Sequence, residues 1–327
     1  MAGLSQTKVW DVRASATLEK FNNEVRDQIF KGFPVLDYML QSGRVRMQNG
    51  GRKISEALLY DENDGFQPYE YYDLVSTAPT DEVTRAFFKW RLYNIPIVVS
   101  EQEQDENAGS DTQLFDLLKV KLKNAEMSMR KGLTTDFFAA QTGKRLDGLG
   151  TIISATANTT GELAESTYTW WAPVRDTGGT DLLSLQKAMR SMRNQILDGV
   201  PEKEGSGLVI VTTRAIHEAY EDLMQDKVVF NASDQNPNSS LGFGGFQNAL
   251  KFSNNIPLIW DSAVPSGTMY FINSAFMGFV IHPAHNFNLT PMRHRVDQHA
   301  SVAHLQFMGN LTVSARRHQG IINNITV

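Results

Sequence analysis

The chain has 327 residues, no cysteine, and 36 Asp and Glu against 31 Lys and Arg. The lack of cysteine excludes disulfides, thiolate metal sites and cysteine nucleophiles. The acidic balance, with no Lys/Arg block, argues against capture of nucleic acid along its phosphate backbone as the main activity. The N-terminal residues lack a signal-peptide pattern and no apolar run approaches the length of a membrane span, so we expect a soluble protein made in a cytosol.

The first part of the chain, residues 1–43, is predicted to be an arm with short helical pieces. Apolar residues from Leu18 to Ile29 share one helical stripe, and Gly32 and Pro34 end it.

A strand-rich region follows. Val45 and Met47 alternate with polar residues before Asn49-Gly50-Gly51, a sequence that favours a hairpin turn with positive φ. Ile54 to Tyr60 is a predicted strand. A polar, tyrosine-rich segment separates it from a second extended stretch, Thr84 to Val99.

Alternation along that second stretch predicts two distinct faces. One face carries Ala86, Phe88, Trp90 and Leu92, and the other carries Arg85, Phe87, Lys89, Arg91 and Tyr93. A two-stranded ribbon with apolar side chains on both faces is marginal alone in water, so we expect it to lie on another surface, that of a neighbouring molecule being one candidate.

The segment from Asp111 to Gln141 is predicted to be a long amphipathic helix. Its apolar residues recur at spacings of three and four, and therefore share one face. They are Leu114, Leu118, Leu122, Ala125, Met129, Leu133 and Phe137. Ser110 or Asp111 can cap its start, Gly143 can end it, and Gly132 is a point of possible interruption. At about 1.5 Å per residue the helix spans roughly 45 Å, which suggests a strut across an elongated subunit.

The second half of the chain mixes helices and strands. Helices are predicted at Asp181–Leu197 and Thr213–Met224, on either side of a buried strand at Leu208–Thr212. Asn231–Gly245, rich in Asn, Ser and Gly, is predicted to be a flexible surface loop. The remaining predicted strands are Ile256–Trp260, Met269–Asn273, Phe279–Ile281, Phe287–Pro291, Ala300–Met308 and Leu311–Ala315. This order of elements indicates an α+β fold.

Several of these segments together resemble a known family. Trp90 with Ile95-Pro96-Ile97, followed by Leu114-Phe115-Asp116-Leu117-Leu118, resembles the extended loop and spine helix of tailed-bacteriophage major capsid proteins, which have the Hong Kong 97-type capsid fold. Leu208-Val209-Ile210-Val211-Thr212 looks like the central strand of that fold's axial domain, and Leu305 to Leu311 resembles its peripheral-domain strands. The resemblance covers nearly the whole chain and rests on order and spacing.

The resemblance implies a division of the chain into four parts. They are residues 1–43 as N-terminal arm, 44–100 as extended loop (a β-hairpin), 101–145 with 274–312 as peripheral domain containing the spine helix, and 146–273 with 313–327 as axial domain. Within the extended loop, the residues that become candidates for inter-subunit contacts are Phe87, Phe88, Trp90, Tyr71 and Tyr72.

The function that the resemblance implies is structural. The chain is expected to self-assemble, as hexamers and pentamers, into the icosahedral head of a tailed bacteriophage that encloses double-stranded DNA without sequence specificity. Neither enzyme activity nor a cofactor is expected. The implied partners are other copies of the chain, a separate scaffolding protein, a portal and a decoration protein, with no membrane. The implied location is the virion capsid, assembled in the host cytoplasm.

Two other classes of function stay open on the residues alone. One is a protein nanocompartment shell of the same fold that encloses enzyme cargo. The other is an enzyme or sugar-binding module. Trp170-Trp171 could stack on a sugar, although paired aromatic residues more often anchor a loop to the core.

Motifs for other chemistry are weak. His282 and His285 could supply two ligands, whereas a zinc site needs three or four converging ligands. Asp61 to Gly65 lacks the ligand spacing of a calcium loop. The glycine-rich Gly242 to Gly245 does not follow a predicted strand, as a phosphate-binding loop would. Ser206 precedes a predicted strand, whereas the serine of a nucleophile elbow follows one.

Overall fold

The computed structural model describes residues 45–63, 66, 68–74, 81–106, 111–200, 207–225, 250–252, 256–295 and 298–326. The predicted arm at 1–43, the predicted loop at 231–245 and Ser206 lie outside these residues.

The described part contains strands β1 to β18 and helices α1 to α5. In chain order the strands are Val45–Met47, Ile54–Leu59, Val83–Phe88, Arg91–Ser100, Thr159–Thr160, Leu163–Ala164, Val174–Asp176, Thr180–Asp181, Leu208–Thr212, Leu250–Phe252, Ile256–Trp260, Met269–Asn273, Met277–Ile281, Asn288–Leu289, Arg293–His294, Ala300–Val313, Gly320–Ile322 and Ile325–Thr326. The helices are Glu101–Glu106, Asp111–Phe138, Leu149–Ile152, Leu182–Leu197 and Arg214–Gln225.

The first large sheet is built around β16. It has the order β1-β13-β16-β14, and β4 and β15 also pair with β16. The pairing of β4 with β16 is antiparallel and runs from Ser100 opposite Ala300 to Arg91 opposite Gly309. The stretch predicted as two strands, Ala300–Met308 and Leu311–Ala315, is therefore one 14-residue strand.

The second large sheet has the order β10-β11-β9-β12-β17-β7, with β9 buried at all five positions. Ile210 packs in a cluster with helices α4 and α5, whereas Val209 and Val211 belong to the larger core on the opposite face. A strand covered on both faces carries no polar alternation, which explains the bare apolar run in the sequence.

The predicted long helix is confirmed as α2, which begins at Asp111 and ends at Phe138. Its 28 residues span about 42 Å. Six of the seven predicted stripe residues are buried, and the side chain of Leu114 lies outside the described set. Gly132 does not interrupt the helix, and Gly143 has the predicted positive φ of 60°.

Truncation of the buried stripe tests this placement. Leu122 lies mid-helix in the main core, so Leu122→Ala is expected to lower the free energy of unfolding of dissociated subunits by about 2–5 kcal/mol. Urea denaturation followed by circular dichroism measures the change. Ser128→Ala, on the exposed face, is the control. Equal stability of the two variants would contradict the packing.

The hairpin predicted around Asn49-Gly50-Gly51 is not formed. Gly50 and Gly51 do have positive φ, at 71° and 97°. However, β1 pairs in parallel with β13, and β2 pairs in antiparallel fashion with β3. The turn therefore carries the chain from the first sheet into the β2–β3 ribbon, because β1 pairs with the distant β13 and not with β2.

The extended stretch predicted from Thr84 to Val99 is divided between two sheets. It breaks at Lys89–Trp90, after which β4 joins β16. The break shifts the alternation of inward and outward side chains by one residue, so side chains expected on one face lie on the other. Leu92, predicted to share the face of Phe88, is consequently exposed, and Tyr93 packs against the core instead.

Candidate shell interface

The base of the β2–β3 ribbon is tied to the rest of the subunit by polar contacts. The Phe87 N–H donates to Gly161 O at 2.9 Å. Lys53 Nζ lies 2.6 Å from Glu162 Oε1 and 2.8 Å from its Oε2. Trp90 Nε1 donates to Gly51 O at 2.9 Å. This hydrogen bond joins the residues before β2 and after β3, where the ribbon leaves the first sheet. These contacts fix the base of the ribbon.

The ribbon and the β5–β6 turn approach so closely that only glycine fits at position 161. Gly161 has φ of 63°, and a Cβ added there would lie 2.8 Å from Ala86 Cβ and 3.2 Å from Phe88 Cζ. Ala86 and Phe88 are themselves buried, so neither can move aside without disturbing the core.

A glycine substitution series tests this contact. Gly161→Ala is expected to destabilise the subunit by about 2–3 kcal/mol, because overpacking adds to the strain of a positive φ. Gly179→Ala is the matched control, since Gly179 has φ of 77° but open space around it. The difference in melting temperature between the two variants isolates the packing cost. No difference would show that the ribbon does not press on this turn.

Aromatic residues reinforce the same junction. The Tyr60 ring stacks on Trp170 with a centroid separation of 5.6 Å and an interplanar angle of 22°. Tyr168 meets Trp170 edge-on. Trp171 is buried and donates from Nε1 to Thr160 O at 3.0 Å. The tryptophan pair therefore anchors its loop to the core and to the ribbon.

A buried charge cluster lies under this loop. Glu165 pairs with both terminal guanidinium nitrogens of Arg175, and Nη2 lies 2.6 Å from Glu165 Oε2. The fully buried Arg316 donates from Nε to Ile152 O at 2.8 Å, and its Nη1 is 3.7 Å from Glu165. Hydrogen bonding from Arg175 holds the pKa of Glu165 below its usual range. Burial lowers the pKa of Arg316 to about 10.

This cluster makes stability depend on pH. Because the folded-state pKa of Glu165 is lowered, its contribution is present above its unfolded pKa of about 4.3 and is lost as the pH falls through the lower folded value. Glu165→Gln is expected to cost about 2–3 kcal/mol near pH 7 and less in acid. Chemical denaturation of parent and variant from pH 7 down to pH 3 measures the difference. A constant difference over that range would contradict the ion pair.

Polar side chains also fix the crossing from β3 to β4. Asn310 Nδ2 donates to Lys89 O at 2.8 Å and to Asp147 Oδ2 at 2.6 Å. Arg91 Nη2 reaches Asp147 Oδ1 at 2.9 Å. The hydroxyl of Tyr93 donates to Asp136 Oδ2 at 2.7 Å. Burial, together with this hydrogen bond, raises the pKa of Tyr93. The ribbon thus leaves the subunit at a fixed point beside the end of α2.

The ribbon has one inward and one outward face. Ala86 and Phe88 face inward with Ile54, and Phe88 is only 1% exposed. Phe87 faces outward and is 37% exposed. Of the five predicted contact residues, Phe88 is therefore a core residue of its own subunit, because its position in β3 turns it towards Gly161. Trp90 is partly buried at the ribbon base.

The outer end of the paired strands and the segment between them are rich in exposed apolar side chains. Tyr71 and Tyr72 are each 99% exposed, and Phe66 is 95% exposed. The other large apolar residues exposed here are Leu59, Tyr69, Leu74 and Val83. We call the described residues from 59 to 83 the ribbon tip. Sequence reasoning identified Tyr71 and Tyr72 but missed the others, although their density within one polar segment was a usable signal.

The histidines do not form a metal centre in the part of the chain that the structure describes. His282 and His285 lie with ring centroids 5.5 Å apart, and no group of three or more metal-ligating residues converges among the described positions. His282 instead meets the edge of Trp90. Among the same positions, no helix is long and apolar enough to cross a membrane.

The fold matches solved shell proteins, although no family model and no curated protein sequence matches the chain. The capsid of cyanophage A-1(L) aligns over 90% of this chain and 93% of its own, with a TM-score of 0.63 and 15% identity. The capsid of a native GTA particle aligns over 88% and 91%, with a TM-score of 0.59 and 11% identity. An encapsulin complex from Synechococcus elongatus aligns over 88% and 87%, with a TM-score of 0.52 and 10% identity.

The chain therefore has the fold of these phage capsid and encapsulin shell proteins. The resemblance to tailed-phage capsid proteins predicted from the sequence is confirmed at the level of the fold.

Proposed function

We propose that this chain is the major capsid protein of a tailed bacteriophage. In this role it self-assembles as hexamers and pentamers into an icosahedral head that encloses double-stranded DNA. The fold shared with phage capsids supports the proposal, and the structural alignment is closer to the cyanophage capsid than to the encapsulin.

The observation that carries the proposal is the fixed ribbon with an exposed apolar tip. Phe66, Tyr71 and Tyr72 are almost fully solvent-accessible in the isolated subunit. Each large aromatic side chain buries about 150–250 Å² when covered. Exposed large apolar side chains grouped in one segment in this way are typical of an interaction site. Because the base is fixed and the tip projects, the tip is suited to reach a neighbouring subunit.

We assign the parts of the chain accordingly. Residues 48–90 form the proposed extended loop, while β1 and β4, which fall in the same predicted range of 44–100, belong to the sheet built on β16. That sheet and α2 constitute the proposed peripheral domain. The β9-centred sheet constitutes the proposed axial domain. Phe87, Trp90, Tyr71 and Tyr72 remain the proposed inter-subunit contacts.

The partners follow from the same assignment. We propose that the shell assembles in the host cytoplasm around a scaffolding protein, incorporates a portal and a decoration protein, and holds its DNA without sequence specificity. A typical interface buries about 1,600 Å² in total. The interfaces that each subunit forms with its neighbours would together hold such a shell.

Electron microscopy of the protein purified after expression alone, and from infected cells, tests the proposal. Closed shells that protect DNA from nuclease, when taken from infected cells, support it. Closed shells that retain a protein cargo and no DNA would favour the nanocompartment. A protein that remains monomeric at all concentrations, alone and with its co-expressed neighbours, would refute both.

A further inference from the structure

The turn between β1 and β2 is fixed at both ends and unrestrained between them. Before the turn, the Gln48 N–H donates to Ile281 O at 3.1 Å. After the turn, Gly51 O accepts the hydrogen bond from Trp90 Nε1 at 2.9 Å. Asn49 lies between these two hydrogen bonds, is exposed, and uses its side-chain amide for no hydrogen bond to a described residue. The short connection at the base of the ribbon therefore contains a free amide.

The backbone nitrogen that follows Asn49 is also accessible. Gly50 is exposed and has φ of 71°, and a Cβ added there would have no atom within 4 Å. Its N–H donates to no described group, whereas its carbonyl accepts from Gln48 Nε2 at 3.4 Å. Because glycine has no side chain, nothing on residue 50 shields its nitrogen from the Asn49 side chain. Asn49-Gly50 is the only Asn-Gly pair in the sequence.

Asn310 is an asparagine of the same chain that is held in place. Its Nδ2 donates to Lys89 O at 2.8 Å and to Asp147 Oδ2 at 2.6 Å. The next residue, Leu311, lies within β16 and is buried. Both the amide and the backbone nitrogen that follows it are therefore fixed by the fold, and Asn310 serves as an internal reference for the turn.

We propose that Asn49 is a site of self-modification, at which the chain converts this asparagine to aspartate and isoaspartate without an enzyme. The Gly50 nitrogen loses its proton to solvent, attacks Asn49 Cγ and forms a new C–N bond. The Cγ–Nδ2 bond breaks, and Nδ2 leaves as ammonia with a proton from solvent. Water then opens the cyclic imide. Its attack at Cγ gives aspartate, and its attack at the backbone carbonyl carbon of Asn49 gives isoaspartate.

The two products differ in their effect on the ribbon base. Aspartate adds a negative charge and leaves the backbone unchanged. Isoaspartate directs the backbone through Cβ and Cγ, which lengthens the main chain between Gln48 and Gly51 by a carbon atom. Gln48 continues β1 in the first sheet, so the end that moves is Gly51, whose carbonyl holds Trp90. Isoaspartate at position 49 is therefore expected to loosen the base of the ribbon.

Ageing of dissociated subunits in mildly alkaline buffer, which promotes loss of the Gly50 proton, tests the modification. Trypsin releases Asn49 in peptide 47–52 and Asn310 in peptide 296–316. Mass spectrometry is expected to show Asn49 converting at least about tenfold faster than Asn310, because intramolecular attack requires free approach of the two reacting groups. Asn49→Gln, whose longer side chain disfavours the ring, should keep its amide. Equal rates at the two asparagines would overturn the proposal.

Hydrogen exchange separates the effect of the backbone from that of the charge. The amide of Phe87, which donates to Gly161 O at 2.9 Å, reports local opening at the ribbon base. It is expected to exchange faster in subunits that contain isoaspartate, whereas freshly purified Asn49→Asp should exchange like the parent. If both exchange faster, or if neither does, the proposed effect of the longer backbone is wrong.

The consequence for assembly rests on the proposed shell function. When partly aged subunits assemble as a mixture, isoaspartate is expected to be depleted from shells and enriched among free subunits, because the ribbon of a modified subunit has lost its fixed base. Equal isoaspartate content in the two fractions would contradict this consequence. Failure of the parent protein to form any shell would instead refute the proposed function, since conversion of Asn49 and exchange at Phe87 are measured on dissociated subunits.

Discussion

Subunits carrying Tyr71→Asp and Tyr72→Asp are expected to fold normally and to form no closed shells. Both side chains are 99% exposed and contribute nothing to the core of their own subunit. Two carboxylates at the centre of an apolar contact would have to be desolvated on assembly, which costs several kcal/mol per ion. The melting temperature of the dissociated subunit should therefore be unchanged while sedimentation shows only small oligomers.

The conservative pair Tyr71→Phe and Tyr72→Phe is the control for this experiment. It keeps both rings and removes only the hydroxyls, so shells should still form. Assembly of the aspartate variant at the parental rate would show that the ribbon tip is not buried in the shell, and would remove the main support for the proposed function.

Phe88→Asp is expected to abolish folding of the subunit, whereas Phe87→Asp, one position away, is expected to leave it folded. Phe88 is 1% exposed, and an aspartate there would combine a cavity with an unpaired buried charge. The combined cost, at least about 5 kcal/mol, is comparable with the whole stability of many domains. Phe87 is 37% exposed and its carboxylate replacement stays in water.

Circular dichroism and limited proteolysis of the two purified variants distinguish these outcomes. Phe87→Asp should resist protease like the parent but assemble poorly if the outward face of the ribbon is covered in the shell. If both variants unfold, or if neither does, the orientation of β3 is incorrect.

Helical elements were the most predictable part of the fold. A stripe such as Leu118, Leu122 and Met129 has a period that only a helix satisfies, and one helix is formed by residues close in sequence. The strand at Leu208–Thr212 was predictable for a related reason, since four consecutive apolar residues can all be buried only where both faces of the strand are covered.

Pairing of strands was not predictable from local pattern. The partner of β1 is β13, more than 200 residues away, and nothing between Val45 and Met47 indicates a parallel pairing there. The break at Lys89–Trp90 could not be predicted, because the alternation of side-chain types continues through it in the sequence although the backbone passes from one sheet to the other. The contact residues were the hardest part of the site to predict. Phe87 and Phe88 look equivalent in sequence, and only the close approach of Gly161 determines which of the two faces inward.

The position of β16 in the chain sets the order in which the molecule can be completed. β4, β13, β14 and β15 all pair with β16, which begins at Ala300, about 200 residues after β4. A ribosome must therefore synthesise the chain as far as β16 before the first sheet can close, and contacts of such long sequence separation form slowly. Until then the ribbon lacks the fixed base that Asn310 gives it through Lys89. A chain that stops before Ala300 consequently lacks this base, so in the proposed shell only subunits with a completed first sheet can present a native ribbon.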